Sequence, residues 1–295
     1  MIRSVMKKLD FPDEAIESLY LCYQKMIATE ELRCDLEAIK EFLFCDGSGD
    51  FPSMLEAFAT KAGVNRYQSD MVVLLSCIPS LKYIYCAKGI DEEVLWESMS
   101  DLRCKLYECK AVMGIWGNFV AYWHPIFFRL RCFKLGRLEY EMRPTQSEVY
   151  KDIIAAEDKV LTCHIPSSGP LREEDVVESL KKAYKFFPDH VKNGILPVVT
   201  TSWLFYPPYF EYVFAKDSNI YKFGQLFDIV SSKASNKYED LWRIFNVKYY
   251  DGCLESLPED TTLRRNLKKF LLDGNLMGSG HGVLLFDGEK ILTKK

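Results

Sequence analysis

Histidine is scarce in this chain, with four in 295 residues, at positions 124, 164, 190 and 281. Ten cysteines are scattered at 22, 34, 45, 77, 86, 104, 109, 132, 163 and 253, and no two of them form a CxxC pair. Zinc sites draw on close pairs of such ligands, so neither residue type points to a metal. Cations are not in excess either. The 38 Lys and Arg face 42 Asp and Glu, for a formal charge of −4, which excludes a general nucleic-acid surface built on clustered Lys and Arg. No stretch is read as approaching the roughly 20 apolar residues of a membrane span. The first residues, MIRSVMKKLDFPDEAIESL, carry basic side chains without an apolar run behind them, unlike a secretory signal. Thiols in such a chain are expected to stay reduced and, in several cases, to pack as small hydrophobes. Those features imply a cytoplasmic setting.

Apolar residues make up 48% of the chain and charged residues 27%, enough to build a sizeable core. The length suggests two domains. Up to about residue 115 the apolar spacing is three and four, over 13–29, 31–45, 53–62, 67–87 and 91–113. The last is the clearest, with Leu95, Met99, Leu102, Leu106, Cys109 and Met113 on one face and Asp91 at the N-cap. CDGSGDFP (45–52) reads as a turn between helices. An α-helical domain over 1–115 is therefore expected, with a second domain over 116–295.

After Trp116 the period becomes two. In IFFRLRCFKLGRLEYEM (126–142) the apolar residues fall on even positions. A three-residue loop, Lys134-Leu135-Gly136, would set Cys132 opposite Leu138, Leu130 opposite Tyr140 and Phe128 opposite Met142. It would also set Arg131 opposite Glu139 and Arg129 opposite Glu141 on the polar face. The expected order continues as strand 159–165, helix 172–187, strand 196–204, helix 207–215, strands 219–230 and 242–250, helix 261–273 and strand 282–286. A strand, helix, strand crossover from 159 to 204 implies parallel pairing beside an antiparallel hairpin. The fold class is α+β: a helical N-terminal domain and a mixed sheet with helices.

That order, with the segments LGRLEYEM (135–142), HIPSSGPL (164–171), SWLFYP (202–207), DSNIYKFGQLF (217–227) and DTTLRRNL (260–267), resembles GNAT-type acyltransferases. More specifically, it resembles bacterial proteins that join an N-acyltransferase-like helical domain to a GNAT-like C-terminal domain. The resemblance covers most of the chain and implies acyl-coenzyme A as acyl donor and an amine as acceptor, with no metal. It implies a pyrophosphate loop formed by Ser167, Ser168, Gly169, Leu171 and the amides up to Glu173, with Arg172 as a cationic partner. Lys181, Lys182 and Lys185 would then serve an outer phosphate. The chain departs from the general pattern, Arg or Gln, two residues, Gly, one residue, Gly or Ala: in Pro166-Ser167-Ser168-Gly169-Pro170-Leu171 the first position is not Arg or Gln and the last is not small. Pro170 has no N–H, and Glu173, Glu174 and Asp175 crowd the helix start. A tight turn followed by a self-capped helix is the alternative reading of the same residues.

Acyl transfer to an amine needs a base and often an acid for the leaving thiolate. His164, at the end of the strand entering the loop, is the first candidate base, and Glu139 on the hairpin is the second. Tyr209 and Tyr212 in YPPYFEY are the candidate acids. Ser202 and Trp203 end the neighbouring strand, where they would line an acyl slot or simply pack. The aromatics from Trp203 to Tyr212 read either as an apolar pocket wall or as core. The glycine run GNLMGSGHG (274–282) lacks the Lys-Ser/Thr of a phosphate loop and reads as a hairpin connection, with His281 near a site mouth.

Three functional readings follow. The first is an N-acyltransferase acting on a small amine. The second is a binding or interaction module on a degenerate acyltransferase scaffold. The third is a ligand sensor closed by its helical half. Acyl length, acceptor, the purpose of the helical half and any homo-oligomer stay open in the sequence.

Overall fold

The computed structural model describes residues 1–45, 49–143, 149–238, 240–247 and 253–294. The chain divides into two compact units, 1–134 and 135–295. In the first unit the helices are α1 (Ile2–Lys8), α2 (Asp13–Met26), α3 (Glu30–Phe44), α4 (Phe51–Ala62), α5 (Arg66–Ala87), α6 (Glu92–Met99), α7 (Asp101–Met113) and α8 (Pro125–Phe128), before strand β1 (Cys132–Leu135) begins. In the second come β2 (Leu138–Met142), β3 (Leu161–His164), α9 (Glu173–Phe186), β4 (Leu196–Ser202), α10 (Pro207–Tyr212), α11 (Asn219–Gly224), β5 (Asp228–Ser235), α12 (Leu241–Phe245), α13 (Thr262–Leu272) and β6 (Met277–Phe286). The protein is α+β, as its spacing and element order imply.

The helical unit is built on α5, which packs against α2, α3 and α4. Local signals start its neighbours. Thr29 Oγ1 accepts from the Leu32 amide at 3.2 Å, Asp50 from the Ser53 amide at 3.2 Å and Asn65 from the Tyr67 amide at 3.0 Å, so side chains satisfy amides that a helix leaves orphaned. Gly63 at φ +62° closes α4 in the left-handed conformation. Against the expectation that no stretch approaches a membrane span, α5 is long and apolar enough to cross one by length and composition. Its apolarity comes from being the central helix, with Ser69 through Leu75 buried without a break.

Two sequence readings in this unit need correction. The helix expected over 91–113 is broken at Ser100 into α6 and α7. The Ser100 hydroxyl donates to the Glu97 carbonyl at 2.6 Å, a local bond that competes with helix continuation. Asp91 stands at the N-cap but makes no side-chain cap bond. The strand expected from 126 does not start until Cys132. Pro125 opens a short helix over 125–128, and Leu130 turns the chain with φ +52°. Phe127 and Phe128 are both buried, so adjacent residues, not alternate ones, face inward there. The turn between β1 and β2 is accordingly Gly136-Arg137, not Lys134-Leu135-Gly136, and the proposed pairings of Phe128 and Leu130 do not form. Part of the 45–52 turn, residues 46–48, lies outside the described residues.

The sheet runs β1-β2-β3-β4-β6-β5. The β2/β3 pair is antiparallel and the β3/β4 pair parallel, while β6 is antiparallel to both β4 and β5. Helix α9 makes the crossover between the parallel strands and buries Val176, Ser179, Leu180 and Ala183 along one side. Ser179 fixes that docking: its Oγ donates to the Leu135 carbonyl at 2.5 Å and accepts from the Leu138 amide at 3.1 Å, with the Tyr140 hydroxyl at 3.0 Å.

Three further corrections concern the end of the chain. Residues 219–224 form helix α11, because Ser218 caps it by accepting from the Tyr221 amide at 3.2 Å; the strand begins only at Asp228. The strand expected over 242–250 is replaced by helix α12 over 241–245, ended by Asn246 at φ +56°, and residues 248–250 lie outside the described residues. The glycine run is not a connection, because β6 starts at Met277 and carries Gly278, Gly280 and Gly282 inside the sheet. These glycines let other groups lie on the strand. A Cβ on Gly280 would stand 2.0 Å from the Phe205 carbonyl oxygen, and one on Gly278 would stand 2.5 Å from the Tyr206 ring.

Candidate active site

The chain leaves β3 at His164, turns through 165–172 and enters α9. Strands β3 and β4 pair only at Leu161–Val198 and Thr162–Val199. Both continue beyond that point, β3 to His164 and β4 to Ser202, where β4 is already bonded to β6 at Gly280. The two parallel strands therefore separate at their carboxyl ends, the end where open α/β sheets place ligands, with the 165–172 loop at the same end.

The loop's polar groups are sorted by direction. Arg137 gathers its carbonyls: the guanidinium donates to Pro166 O at 3.0 Å, Gly169 O at 2.7 Å and Pro170 O at 2.9 Å, and reaches Ser168 Oγ at 3.4 Å. Gly169 supplies the turn with φ +110°, a conformation costly for residues with a Cβ. Among the described residues, the amides of Gly169, Leu171, Arg172, Glu173, Glu174 and Asp175 donate to no backbone carbonyl; the first helical bond is Val176 N–H to Arg172 O at 3.1 Å. Arg172, at the N-cap, makes no side-chain cap bond. The self-capped reading of this turn is thus not what the hydrogen bonds describe. The acidic start of α9 is also partly neutralised, since Asp175 accepts from Arg172 at 2.7 Å and Glu173 from Lys294 at 2.6 Å. The Leu171 side chain is buried, while Ser168 and Gly169 are exposed.

At the end of β3, His164 lies opposite Glu139, and Thr162 lies opposite Glu141. These four share one face of the sheet, because opposed residues and residues two apart point the same way. The intervening pair, Tyr140 and Cys163, points to the other face, where Tyr140 meets Ser179. On the shared face the His164 Nε2–H donates to Glu141 Oε2 at 2.8 Å, and Arg143 Nε donates to the same oxygen at 3.0 Å. Burial pushes the Glu141 carboxyl up, but the bonds from His164 and Arg143 outweigh it and hold the group below its ordinary value. Glu139 is buried at 2% exposure.

The remaining candidates fall into different surroundings. Ser202 caps a short 3-10 helix by accepting from the Leu204 amide at 3.2 Å. Trp203 packs its ring 6.5 Å from Tyr209 and 6.2 Å from Phe214. Tyr209 is fully buried in that aromatic cluster, with Phe270 at 5.6 Å, and burial pushes its phenol up. Tyr212 is exposed and stacks on Phe270 at 6.1 Å. Lys181 pairs with Glu178 at 2.9 Å. His281 Nδ1 lies 2.8 Å from Thr201 Oγ1, on β6 beside β4. Two residues were missed by sequence reasoning. Glu141 was assigned to Arg129 through a strand that does not form, and Arg137 was an ordinary turn residue. Only the Gly136-Arg137 pair at a tight turn could have hinted at the second. No group of three or more His, Cys, Asp or Glu suited to a metal occurs among the described residues.

A parallel strand pair that parts at its end, followed by a loop whose amides make few backbone bonds and then a helix, is the arrangement of a GNAT-like domain. Residues 132–284 match the GNAT-like C-terminal domain, and residues 1–130 match the N-acyltransferase N-terminal domain. The chain belongs to this GNAT-like family. It is similar to the crystal structure of an acyltransferase in complex with CoA and 10C-Teicoplanin, with TM-score 0.73 and 22% identity over 95% of this chain and 86% of the other. It is also similar to an acyltransferase in complex with decanoyl-CoA and teicoplanin, with TM-score 0.71 and 22% identity over 95% of this chain and 86% of the other. A third, an acyltransferase in complex with decanoyl-CoA, gives TM-score 0.63 and 22% identity over 96% of this chain and 98% of that one. At that identity the likeness speaks to the fold. No curated protein matches the sequence.

Proposed function

We propose that this protein transfers an acyl group from acyl-coenzyme A to an amine. The observation that carries the reading is the parting of β3 from β4 after Thr162 and Val199, with the amides of Gly169 and Leu171 to Glu173, which donate to no backbone carbonyl, at the same end of the sheet. The amides of Gly169, Leu171, Arg172 and Glu173, with the side chains of Ser167 and Ser168, would hold the diphosphate, and Arg172 would add positive charge. Ser202 and Trp203 would line the acyl slot across the gap.

The acceptor nitrogen forms the new N–C bond as the thioester C–S bond breaks and sulfur leaves as thiolate. The nitrogen sheds one proton. We assign its removal to His164, directly or through a water, with Glu141 fixing the ring and stabilising its charged form. Glu139, on the same face, is the second candidate. Tyr209 keeps its proton deep in the core, so the acid role falls to Tyr212 or to water. A small amine fits the reading, and the teicoplanin complexes of similar structures support including glycopeptides among the acceptors tried. We place the protein in the cytoplasm on the strength of its thiols: Cys22, Cys77 and Cys109 are buried and pushed up to about 12 by burial, which keeps them protonated and unreactive.

Titration calorimetry with coenzyme A and its acetyl, succinyl, octanoyl and decanoyl esters tests the assignment. Binding of at least one, abolished in Ser168→Trp, is the expected result. No heat from any of them at millimolar ligand would leave the binding-module reading in its place. Where one binds, His164→Gln is expected to lower kcat about 100-fold or more while leaving donor affinity unchanged.

A further inference from the structure

We infer that Arg137 is a positioning residue, which sorts the loop's peptide groups so that the carbonyls face the hairpin and the amides face the diphosphate. This deepens the coenzyme A reading above and rests on it. Arg137 sits beside Gly136 in the β1/β2 turn, and the next amide, Leu138 N–H, is anchored on Ser179 Oγ of α9 at 3.1 Å. The backbone beside Arg137 is therefore held from the same helix whose first turn the loop enters. A guanidinium offers donors in a rigid plane and accepts nothing, so it draws acceptor oxygens toward it and never an N–H. It collects three of them, from Pro166, Gly169 and Pro170, within 3.0 Å.

A trans peptide has its C=O and N–H pointing in opposite directions, and no peptide in the described residues is cis. Drawing Pro166 O toward Arg137 therefore turns the Ser167 N–H away from it, and drawing Pro170 O does the same for Leu171 N–H. The third carbonyl, of Gly169, shares its peptide with Pro170, which has no N–H. The proline thus stands at the one captured peptide where a donor is already missing, and the deviation from the family's loop pattern removes nothing the clamp would deliver. The guanidinium charge is also left behind the loop, where it adds attraction for a diphosphate on the other side.

The test compares wild type, Arg137→Ala and Arg137→Lys by calorimetry with free coenzyme A and by hydrogen exchange of the amides in 165–175. Both variants are expected to exchange faster across the loop and to bind coenzyme A at least tenfold more weakly. The Lys variant should not recover the affinity, because it keeps the charge without the planar fork. KM for the amine and the thermal midpoint should move little. Wild type that binds coenzyme A alongside an Ala variant that binds within twofold overturns the inference while sparing the function. Full recovery by Lys overturns the geometric account in favour of charge alone. Wild type that does not bind coenzyme A removes the proposed function itself and the diphosphate role with it. Unchanged loop exchange in Arg137→Ala overturns the clamp whatever coenzyme A does.

Discussion

His164 and Glu141 are joined diagonally across β2 and β3, Nε2–H to Oε2 at 2.8 Å, although the residue directly opposite His164 is Glu139. The diagonal choice leaves Glu141 with two donors, the His164 ring N–H and the Arg143 guanidinium, on one oxygen. A carboxyl held below its ordinary 4.5 in the folded state contributes stability that is fully present above that value. The contribution is lost as pH falls through the lower, folded value. Glu141→Gln is therefore expected to lower the thermal midpoint at pH 7, by about 1–2 kcal/mol of stability. The difference from wild type should shrink toward zero near pH 3. An equal deficit at both pH values would show that the carboxylate charge is not what matters.

Asp70 behaves in the opposite sense. It is buried in α5 at 3% exposure, its nearest cation is Arg66 Nε at 3.8 Å, and its Oδ1 accepts no hydrogen bond among the described residues. Burial pushes it up from 3.8 to about 7, with Arg66 opposing and Glu56 adding to the rise. Between those values the folded state holds a proton that the unfolded chain has released, so stability falls as pH rises through that window and falls no further above it. Asp70→Asn is expected to stabilise the protein at pH 7.5 by ~2–4 kcal/mol and to match wild type near pH 4. Chemical denaturation at the two pH values checks this. A destabilised Asn variant at pH 7.5 would refute it.

The helical half was legible because three-and-four spacing over long segments leaves little choice of structure, and the crossover helix α9 was legible for the same reason. The errors share a physical cause. The strand readings at 126–131 and 219–224 fail because Pro125 and the Ser218 cap start helices there, and at 127–128 aromatic residues on adjacent positions are buried together. The glycines of β6 were read as a turn because their reason lies elsewhere in the chain, in the Phe205 carbonyl and the Tyr206 ring that lie on them. The place of His164 and the loop, between a strand and a helix, was readable. Arg137 and Glu141 were not, because Arg137 meets Pro166 29 positions away and Glu141 meets His164 23 positions away, and such partners meet only in the fold.

Ser179 tests how the loop's helix is held. One buried hydroxyl serves the Leu135 carbonyl, the Leu138 amide and the Tyr140 phenol. Removing it leaves those buried groups without that partner, which is worth about 2–3 kcal/mol. Ser179→Ala should lower the denaturation midpoint accordingly and weaken coenzyme A binding through the tilt of α9, whereas Ser179→Thr, keeping the hydroxyl, should recover part of both. An Ala variant as stable as wild type would remove Ser179 from the docking account.

Gly280 gives the sharpest steric prediction. It is paired with Ser202 on β4 and Ser232 on β5, so the strand is bonded on both sides and has little freedom to move away. The atom that a side chain would meet is the Phe205 backbone oxygen at 2.0 Å, with the Phe205 carbonyl carbon at 2.6 Å, not the flexible end of a side chain. Phe205 in turn is fully buried against Phe223 at 5.8 Å and Phe227 at 4.7 Å, so its backbone cannot shift without unpacking that cluster. Gly280→Ala is therefore expected to destabilise the second unit by about 3 kcal/mol or more, at the high end for a single substitution. Gly63→Ala, which meets nothing within 4 Å but must keep φ +62°, should cost only about 1 kcal/mol. Urea denaturation of the two variants side by side separates the causes: a larger loss for Gly63→Ala than for Gly280→Ala would mean that the close approach at Phe205 does not hold the strand.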